Sequence, residues 1–274
     1  MSATTEPMAA TVGLTSPATK TLDVSVVVVN HSANAKVVAL LKDLDACTPV
    51  REVVIVDNGA DPFPAPTDQR SFAVRVVRVP NRGFGSAVNE GIRHAASANL
   101  VISNPDVRLP DVTAIDQLVA ALDDPCLGIA APRITDEQGR ATGDVSSRLP
   151  SVRASALMAM RRFGGASQAF PVGRVANVTG AFFAVRRSTW DLVGGFDEQY
   201  FMYFEDADLC ARVGRAGLHI EVLDDARVVH EVGGTPASAE ARRGWYRTSR
   251  AHYFATWRPR GERLLLRALT AGRR

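Results

Sequence analysis

The chain has 274 residues, 46% of them hydrophobic and 22% charged, with a formal net charge of +3. That length can bury one large core or two modest ones, and no apolar run approaches the ~20 residues of a membrane span. Cys47, Cys126 and Cys210 are widely spaced with no Cys-x-x-Cys, which argues against a disulfide framework or a zinc site and for small buried hydrophobes.

Residues 1–22 are rich in Ala, Thr, Ser and Pro and lack both a basic start and a continuous apolar middle. They are expected as a disordered leader, not a secretory signal. A short, β-branched and almost wholly apolar run, interrupted by Ser25, predicts a strand over 24–29, covered on both faces. Helical spacing follows over 33–47, then a strand over 52–56 ended by Asp57-Asn58-Gly59, and a strand over 74–79. A glycine turn at 81–85 leads into a helix over 87–96, a strand over 100–103, Asn104-Pro105-Asp106 and a helix over 111–122. This alternation predicts a parallel α/β sheet. Asn30, Asp57, Asn58, Asn81 and Asp106 stand just past its strand ends, where open α/β sheets bind ligands.

The second half is less regular. Strands are expected over 128–134, 178–185 and 219–223, and helices over 188–193 and 207–216. Residues 146–174 hold five arginines and no acid, which suits either a mobile flap near an anionic or lipid ligand or an ordinary surface segment. Ten arginines and one glutamate fall in 241–274, a local charge of +9 against −6 for the remainder. Leu264, Leu265, Leu266 and Leu269 lie among them. Such a segment suits a membrane surface or packing on the body. No nucleic-acid-binding motif accompanies it. The organisation expected is therefore a leader (1–22), one catalytic domain (23–240) and a basic, amphipathic helical segment (241–274).

Several residues carry candidate chemistry. Gly83-Phe84-Gly85 falls short of the dinucleotide fingerprint, because Val88 stands where the third glycine is required; the glycines suit a tight turn. Asn89 on the following helix could face the same cleft. Asp57 and Asn58 offer an acceptor and a donor to a flat heterocycle, or bond their own turn. Asp106, supported by Asn104, suits a hard divalent ion. His230 could approach from another loop and makes Mn²⁺ as reasonable as Mg²⁺. Asp206 is a candidate general base; Glu205 and Asp208 beside it would raise its proton affinity, or all three could simply favour a helix N-terminus.

In chain order, residues 24–30, 56–59 and 81–89, Asn104-Pro105-Asp106, residues 179–182, Gly194-Gly195-Phe196-Asp197-Glu198, residues 204–209 and His230 resemble the family-two inverting glycosyltransferases, most of all their rhamnosyltransferase-like branch. The resemblance covers roughly residues 23–235. It implies the GT-A fold, a mainly parallel sheet with helices on both faces. Asn30, Asp57, Asn58, Asn81, Gly83, Asn89 and Asn104 would serve the nucleotide-sugar, and Asp106 and His230 the Mg²⁺ or Mn²⁺ ion. Asp206 would be the base, and Gly180, Phe196, Asp197 and Glu205 would border the acceptor. The family's Asp-x-Asp motif has Asn104 in its first position here, one carboxylate fewer for the metal. Expected from this are a dTDP-rhamnose donor and a glycan or polyprenyl-pyrophosphate-linked sugar acceptor in cell-wall or polysaccharide synthesis. Peripheral contact at the cytoplasmic face of the plasma membrane is expected too. The rival readings are a noncatalytic nucleotide-sugar or carbohydrate module on the same fold and, disfavoured by Val88, a nicotinamide oxidoreductase.

Overall fold

The computed structural model describes residues 22–47, 50–64, 68–140, 142, 145–146, 148–152, 172–231 and 237–271. Residues 1–21 of the expected leader and most of the 146–174 segment lie outside them, and Leu22 already belongs to the first strand. Elements run β1 (Leu22–Asn30), α1 (Asn34–Ala46), β2 (Val50–Asp57), β3 (Ala73–Arg78), α2 (Phe84–His94), β4 (Asn99–Ser103), β5 (Val107–Arg108), α3 (Ala114–Ala121) and β6 (Leu127–Thr135). There follow β7 (Val145–Ser146), β8 (Gly173–Val175), β9 (Asn177–Val178), β10 (Phe182–Arg186), α4 (Arg187–Val193), α5 (Glu205–Arg215), β11 (His219–His230), α6 (Ala239–Trp257) and α7 (Arg260–Ala271).

The main sheet has the order β3-β2-β1-β4-β10-β6-β11-β5, with β8 paired to β11. Its first four strands are parallel. β10 runs antiparallel to β4 and β6, and β11 is parallel to β6. The valine-rich run of β1 follows from burial on both faces. Val24, Val26 and Val28 enter one core with Leu40, Leu41 and Leu44 of α1 and Leu118 of α3. Val27 and Val29 enter the other with Val88 and Ile92 of α2, Trp190 of α4 and Val213 of α5. Each fully buried side chain of this kind contributes about 1.5–3 kcal/mol. Ser25 is the polar exception, and its hydroxyl is satisfied, donating to Glu52 Oε1 (2.8 Å) and accepting from Ser97 N (3.0 Å). Gly91 brings α2 close to the sheet: a Cβ there would meet Val27 Cγ1 at 2.5 Å and Val56 Cγ2 at 2.7 Å.

Three departures from the sequence reading matter. The strand expected over 178–185 is two pieces, β9 and β10, interrupted where Asn104 N donates to Ala181 O (2.7 Å). The strand expected over 219–223 runs on to His230, with an irregularity between Leu223 and Arg227. Polar Asp224 and Asp225 fall in this bulge, and the ladder with β6 resumes at Arg227. His230 is thus a strand residue, not a loop residue. Cys47 and Cys210 are buried as expected, whereas Cys126 is exposed.

Helix α6 is fastened to the body. Tyr253 and Phe254 bury against Tyr200 and Ala207, Trp257 Nε1 donates to Asp208 Oδ1 (2.7 Å), and Ser249 Oγ donates to Met202 O (2.7 Å). Leu266 of α7 packs on the same cluster, while Leu264 and Leu265 are 63% and 49% exposed. Among the described residues no helix is long and apolar enough to cross a membrane.

Candidate active site

A cleft of about 610 Å³ opens outside the carboxyl ends of β1, β2 and β4. Its polar wall carries His31, Ser32, Asn34, Lys36, Asn58, Asn81, Asn104 and Asp106; Phe84, Phe201, Met202 and Trp245 form the apolar wall. The backbone explains how distant segments meet here. Gly83 precedes α2 at φ +102°, and a Cβ on it would lie 2.2 Å from Phe201 O. Only glycine therefore permits this approach, and Phe84 N donates to that same Phe201 O at 3.1 Å. Asn81 Oδ1 accepts from Gly83 N (3.1 Å), closing the turn.

Beside Asp106 of the cleft wall, β5 pairs antiparallel with the end of β11, setting His230 opposite Val107, and His230 lines a neighbouring hollow with Lys36 and Glu231. The pairing brings His230 Nε2 to 3.1 Å from Asp106 Oδ1 and 3.5 Å from Asn104 Nδ2. Lys36, in the first turn of α1, places its Nζ 3.6 Å from Asp106 Oδ2 and 3.8 Å from Glu231 Oε2. Among the described residues no group of three or more His, Cys, Asp or Glu gathers as a metal cage. Asp106 and His230 offer one carboxylate oxygen and one imidazole nitrogen, a donor pair that fits Mn²⁺ or Mg²⁺ only with further oxygens from elsewhere.

Asp206 stands in the first turn of α5, four residues past Met202 of the cleft wall, and its Oδ1 accepts from Ala207 N (2.7 Å). The helix is entered through Tyr203 (φ +70°) and Phe204 (φ +68°). Two consecutive bulky residues in the left-handed region are strained, and such strain concentrates at functional sites.

Other residues singled out from the sequence fall elsewhere. Asn30 and Asp57 are 0% and 1% exposed and stand behind the cleft wall. Asn30 Nδ2 donates to Asp57 Oδ1 (3.0 Å), while Phe63 N (2.8 Å) and Arg78 donate to Asp57 Oδ2. The pair thereby holds the β1 and β2 ends together under Asn58. Asn89 faces a second hollow, where its Oδ1 accepts from Phe196 N (2.9 Å) and its Nδ2 donates to Phe196 O (2.9 Å) and Glu198 Oε1 (3.0 Å). It clamps the Gly194–Glu198 turn and does not reach the cleft. Phe196 is core, edge-on to Trp190 (5.3 Å) and Phe84 (5.8 Å). Gly180 leaves room for the Phe84 ring, 2.7 Å from where a Cβ would sit. Asp197 Oδ2 lies 3.2 Å from His252 Nε2 of α6, and Glu205 is buried, 6% exposed.

A family model described as "Glycosyltransferase like family 2" matches residues 21–248. The chain belongs to this glycosyltransferase family. A relative from Mycobacterium tuberculosis, N-acetylglucosaminyl-diphospho-decaprenol L-rhamnosyltransferase, is 31% identical over 81% of this chain and 86% of its own length. Among solved structures, the mannosyltransferase PcManGT of Pyrobaculum calidifontis, in complex with GDP-Man and Mn²⁺, superposes with a TM-score of 0.61 at 18% identity. That match covers 85% of this chain and 63% of the mannosyltransferase. GalNAc-T7, with UDP, GalNAc and Mn²⁺, gives 0.59 at 17% identity over 85% and 49% of the two chains. The glycosyltransferase therefore has the GT-A architecture that the sequence motifs implied.

Two cleft residues of this glycosyltransferase carry no signal in its sequence. Trp245 reaches the site from α6 and packs on Phe201 at 4.8 Å; at sequence level it is one aromatic in an Arg-rich helix. Lys36 reads as a solvated helix residue until its neighbours are known. Glu205 has a third surprise. Burial, reinforced by the Asp206 charge, pushes its carboxyl up to about 8 from an ordinary 4.5, and its Oε2 has no hydrogen-bond partner. The folded protein thus holds a proton there that the unfolded chain releases at lower pH. Its contribution to stability is complete below about pH 4.3 and is lost as pH rises through about 8. Glu205→Gln keeps the neutral form at every pH. Its stability relative to wild type is expected to climb between about pH 5 and 8, as read by urea denaturation; a constant difference across that range would contradict the buried protonated acid.

Proposed function

We propose that this glycosyltransferase moves L-rhamnose from dTDP-β-L-rhamnose onto a polyprenyl-pyrophosphate-linked sugar, with inversion, as a step in cell-wall or polysaccharide synthesis. The observation that carries the reading is the Asp106–His230 pair, 3.1 Å apart, with Asp106 lining the cleft and His230 the hollow that shares Lys36 with it, in a chain 31% identical to a rhamnosyltransferase of that kind. Asn58 and Asn81 line the same cleft and supply amide groups for the nucleotide. Asp106 and His230 would hold a divalent ion whose remaining oxygens come from the donor pyrophosphate. Bound there, the ion supplies Lewis-acid neutralisation of the departing diphosphate.

Asp206 takes the proton of the acceptor hydroxyl as its oxygen attacks the anomeric carbon. The new C–O bond forms on the face opposite the breaking bond, and dTDP leaves with that bond's electron pair. Titration calorimetry with dTDP-rhamnose and Mn²⁺ tests the donor half of this assignment. Asp106→Ala is expected to lower donor affinity by about tenfold or more; unchanged affinity removes Asp106 from the metal site. A product seen only with other nucleotide-sugars discards the rhamnosyl assignment.

The acceptor's lipid anchor implies contact with a membrane surface. Exposed Leu264 and Leu265 on α7 lie between Arg260, Arg263 and Arg267, the composition of an interfacial helix. Ending the chain near Glu240 would also strip Tyr253, Phe254 and Trp257 from the body, so point changes isolate the surface. The double substitution Leu264→Ser, Leu265→Ser is expected to lower the affinity for anionic vesicles, read by co-sedimentation, by at least about tenfold, the loss of two partly inserted leucines. Equal co-sedimentation removes α7 from the membrane reading.

A further inference from the structure

We infer that Lys36 is a transferable counter-cation. In the donor-free protein it pairs with Asp106 and Glu231 and resists metal entry, and in the donor complex it turns to the diphosphate. The inference rests on the donor reading given above and adds a residue to it.

The charges in this corner decide the matter. Asp106 has Lys36 Nζ at 3.6 Å on Oδ2 and His230 Nε2 at 3.1 Å on Oδ1. Glu231 has Lys36 at 3.8 Å and Arg108 Nη1 at 3.8 Å, and Arg108 is itself engaged by Asp43 through Nε at 2.7 Å. Asn104 supplies no charge. Lys36 is therefore shared between Asp106 and Glu231 and Arg108 between Glu231 and Asp43, so Lys36 is the one cation among them that faces Asp106 before any metal arrives. A divalent ion held by Asp106 without a nucleotide would share that carboxylate with an ammonium group, a repulsion that weakens its binding. A nucleoside diphosphate reverses this. Its negative charges attract both the ion and the ammonium, and Lys36 lines the same cleft as Asn58 and Asn81. The Lys36 side chain is 36% exposed, and a flexible four-carbon stem lets its charge move between carboxylate and phosphate. Metal and nucleotide should then bind as a coupled pair, each weak without the other.

The test uses the full chain, Lys36→Gln and Lys36→Arg, with Mn²⁺ alone and with dTDP plus Mn²⁺, read by titration calorimetry and by the electron-spin signal of free Mn²⁺. Lys36→Gln is expected to bind Mn²⁺ alone at least about fivefold more tightly than wild type, and dTDP in the presence of Mn²⁺ about tenfold more weakly. Lys36→Arg should stay near wild type in both. A merely structural lysine would not move the two affinities in opposite directions. Mn²⁺ affinity unchanged or lowered in Lys36→Gln overturns the inference, as does unchanged dTDP affinity while wild type binds dTDP. Failure of wild type to bind any nucleoside diphosphate, with or without Mn²⁺, would overturn the donor reading and this inference together.

Discussion

Replacing Asp206 by Asn is expected to reduce sugar transfer by about 10²–10⁴-fold, the usual worth of a positioned general base, while leaving donor affinity within about twofold. The substitution preserves shape. The amide oxygen can still accept from Ala207 N, which donates to Asp206 Oδ1 at 2.7 Å, so α5 should start where it does now. What disappears is the capacity to take a proton. The surroundings suit that role. The loop before α5 supplies Phe201 and Met202 to the cleft wall and reaches the helix through two residues at positive φ, a cost that a helix start alone does not require. Turnover measured under saturating donor and acceptor, beside calorimetric donor affinity, separates chemistry from binding. Wild-type turnover in Asp206→Asn would remove the base from the mechanism. Donor affinity lost in parallel with turnover would mean that Asp206 belongs to the donor site.

Asp208→Ala is expected to cost about 3–5 kcal/mol of stability, the effect of deleting one partner of a buried ion pair. Asp208 is 3% exposed. Its Oδ2 accepts from Arg212 Nε at 2.8 Å, and its Oδ1 accepts from Trp257 Nε1 at 2.7 Å. Trp257 is in turn covered by the Arg215 guanidinium, 4.2 Å from its ring centroid. One carboxylate thus joins α5, which starts with the Glu205-Asp206 pair, to the end of α6, which delivers Trp245 to the cleft. Losing it should loosen α6 and lower activity together with stability. Asp208→Asn keeps an acceptor for the indole and is expected to lose less, about 1–3 kcal/mol. Denaturation followed by tryptophan fluorescence compares the three proteins. A loss below about 1 kcal/mol in Asp208→Ala would show that α6 is held by its apolar contacts alone.

The acidic cluster at 205–208 looked like a single feature, and the fold divides it three ways. Glu205 is a buried acid, Asp206 a half-buried one at the helix start, and Asp208 the anchor of another helix. Helical geometry makes this division, because neighbours in sequence point about 100° apart around the axis. Asn89 and Phe196 were legible as part of a motif but not as a hydrogen-bonded clamp, since motif order says nothing of which side of a turn a side chain takes.

From residue pattern alone came the parallel first half of the α/β sheet, its two-sided core and the polar strand ends, because strand burial writes itself into nearly continuous apolar runs such as 24–29 and strand ends appear as isolated polar residues. Motif order added the family. The family resemblance implied that Asp106 and His230 serve one ion; their 3.1 Å contact, the lysine between Asp106 and Glu231, and the arrival of Trp245 from α6 came only from the folded chain. Periodicity reports how deeply a residue is buried and not which distant residue it meets. Here the meeting is made by a two-residue strand joining the end of β11, a contact too short to leave any repeat in the sequence.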